Sequence, residues 1–173
     1  MNIVMQSVKK IDNVLIFSYV IALMIYVISY IAGYSMDIPY EEADISFNIW
    51  DIFVNNTIIS LIFFAGILSF GFVNIGIAGI NGFSIGSLMS YSSENLALGE
   101  ILWNIIPHGV FEIPSLLIST SVGFLPILLL IKKAHSKKKI NYRFYLKYIG
   151  LAFVLVLLLN IAAAVVEITI TMK

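Results

Sequence analysis

The chain has 173 residues, 60 % hydrophobic and 12 % charged, with ten Lys plus Arg balanced by ten Asp plus Glu. A soluble domain has roughly 45–50 % apolar and about 25 % charged residues, so a free-standing cytosolic domain is excluded, as is a disordered chain. No basic excess exists to hold nucleic acid phosphates, and the absence of cysteine removes disulfides, thiolate metal sites and a cysteine nucleophile. What remains is an integral membrane protein, predicted to be an all-α, polytopic helical bundle forming one transmembrane domain over residues 1–173, with the lipid bilayer as its first partner.

Stretches without charge mark the spans. They cover Asn13–Met36 (24 residues), Ile52–Ser93 (42), Ile113–Ile131 (19) and Tyr148–Val166 (19). A hydrocarbon core about 30 Å thick takes roughly 20 helical residues, so the 42-residue stretch is two crossings. The first span is predicted at 14–32. Its apolar core exceeds the roughly 7–15 residues of a signal peptide, so it is read as retained. The second and third spans are predicted at 53–72 and 74–92, parted by the turn chemistry of Gly71 and Asn74. Asn81-Gly82 is a stronger turn dipeptide, but a break there leaves too short a third helix. Pro107, Pro114 and Pro126 interrupt 101–131. Proline removes a helical hydrogen bond, so 101–113 is read as a kinked or re-entrant outer segment and the fourth span as 114–131. The fifth span is predicted at 146–168. Trp50 and Trp103, near outer boundaries, read as interfacial anchors.

The bases set the orientation. Lys132, Lys133, Lys137, Lys138, Lys139, Arg143 and Lys147 share one loop with no acid, and Lys9 and Lys10 precede the first span. Loops rich in Lys and Arg stay cytoplasmic. Asp37, Glu41, Glu42, Asp44 and Asp51 lie in a loop without a base. The expected layout is a multi-pass cytoplasmic-membrane protein, N-terminus inside and C-terminus outside, with the basic loop against anionic lipid headgroups.

Polar residues inside the apolar frame are few: Asn55, Asn56, Asn81, His108, Glu112, Asn160 and Glu167. The topology places Asn55, Asn56, His108, Glu112 and Glu167 in the outer leaflet, with Asn81 and Asn160 deeper. His108 and Glu112 are four apart and share a helical face if Pro107 opens a turn. The pair could handle protons, act as general acid or base, or ligate a metal completed by Glu167. The preferred reading is a structural pair that joins helices and satisfies polar groups. The two-histidine H-E-x-x-H spacing is missing, His135 lies in the cytoplasmic loop, and no G-x-S-x-G is present. Gly82 and Gly86 form a small-xxx-small face suited to helix packing.

Several of these residues together resemble the stage II sporulation protein M family. Ile106-Pro107-His108-Gly109-Val110-Phe111-Glu112-Ile113-Pro114 is similar to its most characteristic motif, a proline-histidine-glycine before a glutamate. Phe53-Val54-Asn55-Asn56 resembles its paired asparagines, Asn81-Gly82 with Gly86 its asparagine-glycine, and Ala163-Ala164-Val165-Val166-Glu167 its alanine-rich last helix. The resemblance implies about five spans and a polar core of His108, Glu112 and Glu167 with the asparagines. A named member of that family scaffolds two peptidoglycan-degrading proteins during engulfment. The resemblance therefore implies a non-enzymatic membrane scaffold or assembly factor, without cofactor, whose partners are other membrane or envelope proteins. Homo-oligomers are permitted by the glycine faces, and nucleic acid is not expected. Two alternatives stay open. One is a small transporter or channel-like protein, for which broken helices and buried polar groups are typical. The other is an intramembrane metal-dependent enzyme using His108, Glu112 and Glu167.

Overall fold

The structure, a computed structural model, describes residues 12–36, 48–104, 106–136 and 139–171, without the side chains of Leu102, Asn104, His108, Ile170 and Thr171. Lys9 and Lys10, most of the acidic loop (37–47), Lys137, Lys138 and the His108 side chain lie outside the described residues.

Every element is helical. They are α1 (Asn13–Ser35), α2 (Ile49–Ala65) continued by a 3-10 turn (Gly66–Ser69), α3 (Phe72–Asn95), α4 (Leu98–Asn104), α5 (Ile106–Gly123), α6 (Leu125–His135) and α7 (Tyr142–Thr171). Four spans, over Asn13–Ser35, Ile49–Ser69, Phe72–Asn95 and Tyr142–Thr169, are long and apolar enough to cross a membrane. The bent pair Gly109–Gly123 and Leu125–His135, meeting at 44°, supplies a fifth if it is one broken span.

Local chemistry explains the boundaries. Asp12 caps α1 by accepting from the Val14 N–H at 2.9 Å, and Asn48 caps α2 through the Trp50 N–H at 3.0 Å. Between α2 and α3 the chain reverses through two left-handed residues, Phe70 (φ 55°) and Gly71 (φ 90°). The second is glycine because a Cβ there would lie 2.3 Å from the Phe124 ring. Asn81-Gly82 lies mid-way along α3.

α5 runs through Pro114, and the chain breaks ten residues later at Phe124. A proline in a membrane helix removes one hydrogen bond, and packed neighbours offset that loss. Pro126 instead occupies the first turn of α6, where its missing N–H costs nothing. Residues 101–104 belong to α4 and 106–113 to the first half of α5.

α1 packs along α3, and α5 along α7, with α2 against α5 and α7. One apolar cluster joins Val14, Ile118, Val122, Leu125, Tyr145, Ala152 and Val156, and a second joins Tyr26, Phe63, Ala78 and Leu116. The outer surface is apolar: Leu23, Leu68, Phe72, Ile80, Leu151 and Leu158 are among many large side chains at least half exposed. In water such a surface would drive aggregation; in a bilayer it faces lipid.

Candidate functional site: polar bonds between broken helices

Among the described residues, three polar groups stand out inside the bundle. The first centres on Asn74, in the first turn of α3 and fully buried. Its Nδ2 donates to the Phe63 carbonyl at 3.0 Å and to the Thr120 carbonyl at 3.0 Å. Both acceptors lie in the last turns of helices, α2 and α5; the Phe63 carbonyl also accepts from the Gly66 N–H, whereas that of Thr120 loses its i+4 donor. The Phe124 N–H, which a continuing helix would offer to Thr120, bonds Ser121 instead. One side chain thus caps two helices that stop inside the protein. Gly66 and Gly123 leave the space: a Cβ on either would lie 1.6 Å or 2.0 Å from the Asn74 amide.

The second group joins α2, α5 and α7. Ser115 Oγ donates to Asn160 Oδ1, and Asn160 Nδ2 donates to Ser60 Oγ at 3.2 Å. Ser60 Oγ in turn donates to the Asn56 carbonyl at 2.8 Å. All three side chains are at most 2 % exposed. Chemically this is a zipper. Ser115 faces an amide oxygen, which cannot take its proton, so nothing here activates a hydroxyl as a nucleophile.

The third group surrounds Tyr26 on α1. Its hydroxyl is buried without a hydrogen bond, as is that of Thr120. Thr120, Asn81 and Glu112 are its polar neighbours. An apolar cleft of about 220 Å³ adjoins it, lined by Tyr26, Tyr30, Gly82, Ile113 and Leu116 among others.

The residues singled out from the sequence divide accordingly. Asn81 and Glu112, from α3 and α5, come together at Tyr26, both half-buried. Asn56 is buried, 9 % exposed, while its neighbour Asn55 is exposed. Glu167 is half-buried near the end of α7. Asn160 is buried in the zipper. Gly82 and Gly86 face α1: a Cβ on Gly86 would lie 2.2 Å from the Tyr30 carbonyl oxygen, and on Gly82 3.0 Å from that of Tyr26. Among the described residues no three His, Cys, Asp or Glu side chains converge as metal ligands would. Sequence reasoning treated Asn74 only as turn chemistry and passed over Ser60, Ser115 and Tyr26. A serine in an apolar helix can bond its own preceding turn, as Ser119 does to Ser115 at 2.7 Å, so its identity alone signals no partner.

At the end of the bundle near the 136–141 loop, Asp12 meets Lys132 and Tyr145. Lys132 Nζ lies 2.8 Å and 3.0 Å from the two Asp12 oxygens, and the Tyr145 hydroxyl donates to Asp12 at 2.7 Å. Partial burial works to raise the Asp12 carboxyl, but Lys132, the Val14 N–H and Tyr145 together hold it below its ordinary value. A depressed carboxyl contributes stability that is full above the unfolded value of 3.8 and is lost as pH falls through the folded value. Asp12→Asn keeps a capping oxygen but loses the charge. It should lower stability by about 1 kcal/mol at neutral pH. In pH-dependent unfolding, that deficit should vanish once the wild-type carboxyl is protonated.

A bundle of this kind is a polytopic helical membrane protein. The chain matches the stage II sporulation protein M family over residues 14–172, and it belongs to that family. It is 30 % identical to an uncharacterised protein of Methanocaldococcus jannaschii, covering 89 % of this chain and 93 % of the relative. No solved structure matches it.

Proposed function

We propose that the chain is a non-enzymatic scaffold or assembly factor of the cytoplasmic membrane, holding other membrane or envelope proteins or further copies of itself. The observation that supports this reading most is the use made of the deepest polar side chains. Asn74, Asn160, Ser60 and Ser115 bond one another and helix ends, which fixes the positions of helices. Such bonds rigidify a platform and leave its apolar outer faces for partners. Elemental analysis of the purified protein should find no stoichiometric zinc. One zinc per chain that disappears in His108→Ala would replace this reading with the metal-dependent enzyme.

The group around Tyr26 gives a specific reason to keep transport as the second reading, since an ionisable residue at membrane depth marks pathways by default. Vesicles reconstituted with the protein should pass no more sodium or protons than empty ones. A flux lost in Glu112→Gln would establish transport instead.

The proposed orientation puts the N-terminus and the 132–147 loop in the cytoplasm and the C-terminus outside. The chain has no cysteine, so a single Ser136→Cys reports cleanly. An impermeant thiol reagent should leave it unlabelled in intact cells and label it after lysis; labelling from outside reverses the topology.

A further inference from the structure

The bend at Phe124 swings α6 so that a groove opens between α6, the first turns of α7 and the turn after α2. It has a volume of about 390 Å³. Ile67 and Phe70 line it at the turn, Leu129 and Leu130 on α6, and Leu146 and Ile149 on α7. Its lining is otherwise apolar, with Tyr142 and Tyr145 at the end towards the 136–141 loop. Leu130, Tyr142 and Leu146 are 51 %, 53 % and 69 % exposed, so the groove opens sideways on the lipid-facing surface.

The charge at its end is one-sided. Among the described residues Lys132, Lys133, Lys139, Arg143 and Lys147 fall in this stretch with no acid, and Asp12 pairs with Lys132. Lys133 falls four residues after Leu129 and three after Leu130, so it continues the groove-lining stripe of α6. Helical side chains lean towards the preceding turn, which inclines Lys133 back over that stripe. It is exposed, as is Arg143, which directly follows Tyr142. The Tyr145 hydroxyl is engaged with Asp12, so the exposed bases are what an apolar slot of this kind offers a molecule with a hydrocarbon chain and an anionic head. A soluble acidic peptide cannot enter a slot that opens into hydrocarbon, and a zwitterionic lipid would bring its own cation against the bases.

We propose that this groove binds one anionic phospholipid of the adjoining leaflet, its chain between α6 and α7 and its phosphate at Lys133. The site is independent of the scaffold reading. The test is native mass spectrometry of the purified protein in mild detergent with equimolar phosphatidylglycerol and phosphatidylcholine. Phosphatidylglycerol should be retained preferentially. A base near a lipid surface contributes an effect equivalent to about a fivefold preference. Lys133→Gln should therefore cut the preference about fivefold. Lys147→Gln, which the helical period turns further from the groove, should change it by less than about twofold. Leu146→Trp, at the exposed mouth, should reduce retention of both lipids without lowering the thermal midpoint. Equal retention of the two lipids overturns the proposal, as does an effect of Lys147→Gln equal to that of Lys133→Gln. Unchanged retention in Leu146→Trp, or displacement of the lipid by inorganic phosphate, overturns the seating of a chain in the groove.

Discussion

Asn74→Ala is expected to be among the most damaging single substitutions in the protein, lowering stability by about 2–4 kcal/mol in unfolding from detergent micelles. An interhelical hydrogen bond in a membrane is worth only about 0.6 kcal/mol on average. Asn74 is different because it makes two, to Phe63 and Thr120, and both acceptors are carbonyls at helix ends. Removing it leaves the Thr120 carbonyl without a donor, at about 1–3 kcal/mol if nothing replaces it, strips the second bond from Phe63, and opens a cavity. The cradle provides a control. Gly123→Ala alone should cost about 1–3 kcal/mol by overpacking, since its Cβ would meet the Asn74 amide at 2.0 Å. In the Asn74→Ala background that methyl enters vacated space, so the double variant should be more stable than the sum of the two losses by about 1 kcal/mol or more. Strict additivity would sink the shared-cap account.

Gly86→Ala is the second expected loss, about 2–3 kcal/mol by the same measurement. A Cβ there would meet the Tyr30 carbonyl oxygen at 2.2 Å and the Tyr34 nitrogen at 2.8 Å, both backbone. Backbone cannot rotate aside, so α1 and α3 must part. They would lose the Ser87 hydroxyl bond to the Gly33 carbonyl, 3.3 Å, that accompanies the close approach. Gly76 lies ten residues earlier on α3 with nothing within 4 Å of its would-be Cβ. Gly76→Ala should be neutral or stabilising by up to about 1 kcal/mol, since alanine is the better helix former. Equal effects at the two glycines would show that helix propensity, and not contact with α1, decides.

Much of the architecture follows from where charges are missing. The all-helical fold and the span count come from lengths of uncharged sequence measured against bilayer thickness, a constraint that local propensity cannot override. Gly71 marked a break because left-handed backbone favours glycine. The break at Phe124 was harder to see. Three prolines compete for it, and the outcome is decided by contacts remote in sequence: Phe124 packs on Gly71, and Asn74 satisfies the carbonyl that the break exposes. Asn56 and Asn160 stand out in an apolar helix and are buried; Asn81 and Glu112 stand out equally and are half-buried. Serines and a tyrosine blend into membrane sequences, so Ser60, Ser115 and Tyr26 became visible only when packing showed what they face.

The zipper also bears on the order of synthesis. Asn160 lies in the last helix, 45 residues after Ser115 and 100 after Ser60. Until Asn160 has been made and inserted, both hydroxyls lack the amide that will join them. Each can meanwhile use a carbonyl of its own helix, as Ser60 does with Asn56. Asn74 can join α2 and α5 before that, but the zipper between them closes only when α7 arrives, so α7 fastens helices that precede it.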